Sequence, residues 1–182
     1  MIKEKRKLDK KINSKSKGNN FELKIANLFK KHWGVTAYRT PGSGAWTSRE
    51  VSQKMKEAAL GDIVIDELPE LIFECKNYYS LHFTNWFKEN CKSDSIWNFW
   101  KKLNIEAEEF RKIPILICKE FSSPLVAIMA ISDVNVIEDY TAKFSTSFYM
   151  IKGDFYLVVF DLNEILELDL ETIKDIIRDI RG

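Results

Sequence analysis

Cysteine and histidine are scarce in this chain, and their scarcity closes off several chemistries. Of 182 residues, three are cysteines and two are histidines. Cys75, Cys91 and Cys118 are odd in number, scattered, and free of any Cys-x-x-Cys spacing. That argues against a disulfide framework and a cysteine zinc site, and it fits a reducing, cytoplasmic setting. His32 and His82 lie too far apart in sequence for a histidine metal cage; His32 is expected to cap a helix end. No apolar run approaches the roughly 18 residues of a membrane span. The basic N-terminus has no apolar segment of the kind a secretory signal needs.

A large net charge is absent too, but the near balance hides an asymmetry. The chain carries 28 Lys and Arg against 27 Asp and Glu, a net +1. Residues 1–17 hold Lys3, Lys5, Arg6, Lys7, Lys10, Lys11, Lys15 and Lys17 against Glu4 and Asp9, a net +6 that leaves the remainder at −5. This reads as a basic arm over 1–17, either neutralising phosphates or simply solvated. It precedes a single domain over 18–182 with a strand–helix extension from about 132. The acidic body argues against a broad nucleic-acid surface and confines any such contact to a local face.

The hydrophobic pattern places the elements. A helix is expected after Gly18-Asn19-Asn20, with Asn as its N-cap and Phe21, Ile25, Leu28 and Phe29 on its buried stripe. Glu22 lies at the edge of that stripe. A strand is expected around 35–39, then a loop enforced by Pro41, Gly42 and Gly44. Residues 77–94 read as irregular and aromatic. A helix follows over 95–110, with Ile96, Phe99, Trp100, Leu103, Ala107 and Phe110 on one side. Strands are expected over 113–118, 125–131 and 155–160. A last helix from Asp169 carries Leu170, Ile173, Ile176, Ile177 and Ile180 as a core-facing stripe. The order of elements predicts an α/β layer fold with a mixed sheet.

One stretch carries chemistry. Gly61-Asp62 opens the apolar run Ile63-Val64-Ile65; Leu68-Pro69-Glu70 breaks it; Leu71-Ile72-Phe73 resumes it and ends in Glu74-Cys75-Lys76. If this is a hairpin centred on Leu68, positions 62 and 74 oppose each other, with Cβ atoms roughly 4.5–5.5 Å apart. Two carboxylates at that spacing repel unless a cation lies between them. Strand alternation places Lys76 on the face of Glu74. The hairpin thus offers a divalent-metal clamp beside an ammonium, against a core where unpaired charge is expensive.

Four pieces occur in order: Gly18-x-x-x-Glu22, Arg39-x-Pro41-x-Ser43-Gly44-Ala45, Gly61-Asp62 and Glu74-x-Lys76. Over about residues 17–131 this resembles the PD-(D/E)xK nuclease superfamily, and within it looks most like the archaeal-type Holliday junction resolvases and their phage relatives. The resemblance implies a restriction-endonuclease-like mixed sheet flanked by helices. It implies that Asp62 and Glu74, with the Cys75 carbonyl and Glu22, bind Mg²⁺, for which Mn²⁺ substitutes. Lys76 would position or help deprotonate the attacking water and steady the developing phosphorane. Arg39 and Ser43 would place the scissile phosphate, while Trp46, Arg49, Lys54 and Lys56 would contact DNA. Hydrolysis in the superfamily leaves a 5′-phosphate and a 3′-hydroxyl.

The expected activity is metal-dependent cleavage of branched DNA by a homodimer. Two alternatives stay open on the sequence: another nuclease of the superfamily (restriction-like, repair, or acting on single-stranded DNA or RNA), and a nucleic-acid-binding module that does not cut.

Overall fold

A computed structural model describes residues 14–40, 60–78, 96–141, 144 and 147–182. Among these, helix α1 (Ser14–Trp33) leads into strands β1 (Ala37–Arg39), β2 (Ile63–Ile65) and β3 (Leu71–Tyr78). Helix α2 (Ile96–Phe110) precedes β4 (Ile113–Glu120) and β5 (Leu125–Ala130). Then come α3 (Ile131–Tyr140), β6 (Ser147–Lys152), β7 (Phe155–Asp161), the one-turn α4 (Asn163–Leu166) and α5 (Leu170–Arg181).

The described strands form one seven-stranded sheet in the order β1-β2-β3-β4-β5-β7-β6. Only β3 and β4 run parallel, from Leu71 opposite Ile113 to Tyr78 opposite Glu120. Parallel neighbours need a long crossover, and the chain between them includes α2. β4 begins with six consecutive buried residues, as expected for a strand covered on both faces. On one face α1, α3, α4 and α5 bury Phe21, Ile25, Phe29, Val134, Ile165 and Ile176 against Phe73, Cys75, Ile117 and Val158. On the other, α2 lays Ile96, Trp97, Trp100, Leu103 and Ala107 over Ile72, Leu116, Cys118 and Ile128. The expected mixed α/β sheet flanked by helices is therefore observed, with the architecture of a restriction-endonuclease-like fold.

Several expectations are corrected. α1 does not start after Asn20; it runs through Gly18-Asn19-Asn20, so residues 14–17 of the basic arm belong to it. Gly and Asn inside a helix cost at most about 1 kcal/mol each, which burial of Phe21, Ile25 and Phe29 readily offsets. β3 does not give way to irregular chain at Asn77; the ladder with β4 carries it to Tyr78. Between β5 and β7 lie α3 and β6, neither of which the hydrophobic pattern predicts. β7 pairs with β5 and β6 with β7, so the C-terminal extension continues the central sheet.

Other expectations match. α5 starts at Asp169, whose carboxylate accepts the Thr172 N–H at 2.9 Å, and it buries Ile173, Ile176 and Ile177 in the core. His32 sits in the last turn of α1. No described helix is long and apolar enough to cross a membrane.

Candidate active site

The β2–β3 hairpin turns at the Leu68-Pro69-Glu70 break, where Leu68 N–H bonds to Ile65 O and Leu71 N–H to Leu68 O. Its register pairs Ile63 with Phe73, the register of a hairpin centred on Leu68. Asp62 N–H also donates to Phe73 O, at 2.6 Å. Asp62, just before β2, and Ile63 thus both meet Phe73, a bulge-like irregularity of the kind that re-aims a side chain, in place of the regular pairing that would set position 62 opposite 74.

Gly61 makes this approach possible. Its φ is +70°, and a Cβ there would stand 2.6 Å from Phe73 O and 3.1 Å from Ile72 Cγ1. Only glycine fits such a left-handed position against another backbone. Asp62 is then held from three directions: its N–H by Phe73, its C=O by Thr40 N–H at 3.0 Å, and its Oδ2 by Cys75 N–H at 2.8 Å. Asp62 is one of three buried polar or charged residues among those described, with Glu22 and Thr40. All three lie at this end of the sheet.

Strand alternation puts Ile72, Glu74, Lys76 and Tyr78 on the α2 face of β3. Lys76 Nζ donates to Glu74 Oε1. From α1, Glu22 Oε2 accepts from Arg39 Nε at the end of β1, and Arg39 Nη2 reaches Asn19 Oδ1 at 2.9 Å. The structure thus brings together Glu22, Arg39, Asp62, Glu74, Cys75 and Lys76 from α1, β1, β2 and β3.

The electrostatics are those of crowded carboxylates. Burial pushes the Glu74 carboxyl above its ordinary value, and the charge of Asp62 adds to this; Lys76 opposes it. Burial likewise raises Glu22, where the Arg39 hydrogen bond opposes the shift and Asp62 reinforces it. Burial alone would lower Lys76, yet Glu74 and Asp62 outweigh it and hold the ammonium firmly protonated. The Cys75 thiol is pushed well up, first by burial and then by the surrounding carboxylates. Its side chain packs into the core with Phe73 and Ile117.

Among the described residues, no group of three His, Cys, Asp or Glu side chains forms a ready metal cage. Mg²⁺ does not require one, because it keeps several waters and is commonly held by one or two carboxylates. The donors are hard oxygens, and two of the three carboxyls are raised by burial and by a like charge beside them. The residues present fit a small divalent cation.

Ser43, Trp46, Arg49, Lys54 and Lys56 lie outside the described residues, as do residues 1–13, His82 and Cys91. Two partners are missing from the sequence reading. Asn19 binds Arg39 from three residues before Glu22, a spacing that places both on one side of α1. Phe99 shows in the sequence only as part of an apolar stripe, although its ring lies 4.9 Å from Lys76 Nζ.

A family model described as "Phage putative PDDEXK endonuclease" matches residues 13–175, well beyond the segment over which the motifs alone are legible. No match was found among curated proteins or among solved structures. With the match spanning most of the chain, and with an Asp, a Glu-x-Lys pair and a helical Glu meeting at one end of a mixed sheet, this chain belongs to the phage PD-(D/E)xK endonuclease family.

Proposed function

We propose that the chain is a Mg²⁺-dependent DNA endonuclease that hydrolyses phosphodiesters at branched structures, four-way junctions above all. One observation carries the reading: Asp62, Glu74 and Glu22 lie beside Lys76 although burial first, and then the charge of Asp62, raises both glutamates. Strained electrostatics of this kind are characteristic of functional sites.

Asp62 and Glu74 would hold the ion, with Glu22 and the Cys75 carbonyl beside them. When bound, the ion supplies an activated water and Lewis-acid stabilisation of the phosphoryl oxygens. The chain's own groups do the rest. The three hydrogen bonds on Asp62 fix its position, so that carboxylate needs no reorganisation. Lys76, held protonated, suits the roles of orienting the water and stabilising charge on the pentacoordinate phosphorus better than that of a base. Arg39 presents a guanidinium at the end of β1, four residues before Ser43 in sequence, where it can meet a phosphate. The residual N–H groups of its fork suit phosphate oxygens.

The order of the four motif pieces supports the junction as substrate. A two-fold homodimer would offer two such sites to opposed strands. The test is cleavage of a labelled four-way junction beside matched linear duplex, single-stranded DNA and RNA. Paired symmetric nicks at the junction that vanish with EDTA are expected. Preference for linear or single-stranded substrates would refute the junction reading and leave a nuclease of different specificity. Structure-dependent binding with no cutting of any substrate would refute the enzyme.

A further inference from the structure

Lys76 has a second tether that lies outside the motif. The Phe99 ring, near the start of α2, has its centroid 4.9 Å from Lys76 Nζ. Phe99 also stacks on Tyr78, with centroids 5.8 Å apart and planes 24° from parallel. Tyr78 follows Lys76 by two residues on β3, so all three side chains share the α2 face of the sheet. Behind the ring, Ile96, Trp97, Trp100 and Leu103 are buried against the sheet and pin α2 in place. Phe99 itself is only partly buried, at the margin of that cluster.

We infer that Phe99 is a positioning residue for the Lys76 ammonium, an inference that rests on the reading of Lys76 as the cation facing the scissile phosphate.

A lysine head is a point charge on four flexible methylenes and has no preferred direction of its own. Here Glu74 takes one of its three N–H donors. The electron-rich face of Phe99 attracts the same charge from a second direction. Two tethers from different elements define where the ammonium sits. They also leave donor capacity for a water or a phosphate oxygen. A second carboxylate in place of the ring would hold the lysine as well but would cancel its charge; an aromatic face holds the cation and leaves its charge intact. Tyr78 keeps the ring from turning away.

The experiment compares the full chain with Phe99→Leu, which keeps apolar bulk but removes the aromatic face, and with Phe99→Tyr, which restores it. Cleavage kinetics in Mg²⁺ should show kcat down about tenfold in Phe99→Leu, within the range expected for a partly desolvated cation–π contact. KM for DNA should be little changed, and Phe99→Tyr should recover most of the loss. A second readout needs neither metal nor substrate. The Lys76 ε-methylene resonances should be shifted by the ring current in wild type and in Phe99→Tyr, and should relax toward ordinary lysine positions in Phe99→Leu. Unaltered kcat in Phe99→Leu, a Phe99→Tyr variant as slow as Phe99→Leu, or unshifted Lys76 resonances in wild type would each overturn the proposal. A wild-type chain that cuts no nucleic acid would overturn the nuclease reading and this proposal with it. That pattern is distinct from an active wild type matched by an equally active Phe99→Leu.

Discussion

Replacing Glu74 by glutamine separates what the site costs the fold from what it does. The amide keeps the shape of the side chain and removes its charge. Two effects then oppose each other in the metal-free protein. The ion pair with Lys76 is lost, while the burial penalty and the repulsion from Asp62 are relieved. Because the Glu74 carboxyl is raised above its ordinary value of 4.5, the relief outweighs the loss. The folded chain therefore holds this proton more tightly than the unfolded chain does. Wild-type stability should fall as pH rises from about 4.5 through the raised value of Glu74. Below that window Glu74 is protonated in both states, and the two proteins should converge.

Near neutral pH in EDTA, Glu74→Gln should therefore unfold at a temperature equal to or above that of wild type. Mg²⁺ reverses the order. At a hundred times its dissociation constant, a ligand bound only by the native state adds about 2.7 kcal/mol. For a chain of this size that corresponds to a rise of about 5–11 °C in Tm. Glu74→Gln should gain almost none of it. Thermal unfolding followed by circular dichroism, across pH and across a Mg²⁺ titration, reads both effects. A Glu74→Gln protein clearly less stable than wild type in EDTA near neutral pH, or one that gains as much from Mg²⁺, would refute the reasoning.

Two further substitutions probe the scaffold of the site. Gly61→Ala forces a left-handed residue and a Cβ against Phe73 O; it should cost about 2–4 kcal/mol in urea unfolding, and a loss below about 0.5 kcal/mol would show that the backbone approach is soft. Arg39→Lys cannot reach Glu22 and Asn19 together, because the two contacts use different nitrogens of one guanidinium; cleavage should drop about 10- to 100-fold with the fold intact, the range for lost charge-assisted hydrogen bonds, and full activity in Arg39→Lys would make the contact incidental.

The parts of this molecule that are legible in the sequence are those where one short stretch determines its own geometry. Leu68-Pro69-Glu70 between two apolar runs specifies a hairpin and the pairing of Ile63 with Phe73, whereas the irregularity that bonds Asp62 to Phe73 and Cys75 is not legible from that register. Asp169 before an apolar stripe specifies a helix start in the same way. The start of α1 is not legible because Gly18 and Asn20 are only weak helix breakers, and the decisive burial of Phe21 and Phe29 is tertiary. α3 and β6 are hidden because Ile131–Tyr140 mixes acidic and apolar residues, and β6 leaves Phe148, Tyr149 and Ile151 exposed, so neither shows a clean period. Asn19 and Phe99 touch the site across 20 and 23 residues of chain respectively. Such contacts are made by packing, and no local pattern encodes them.

The central claim is that Asp62 and Glu74 hold the ion that cuts DNA. Its most direct test measures Mg²⁺-dependent cleavage and DNA binding side by side for wild type, Asp62→Asn and Glu74→Gln. The account predicts that wild type cuts and that both variants bind DNA nearly as well but do not cut. Cleavage that survives both substitutions together would contradict it.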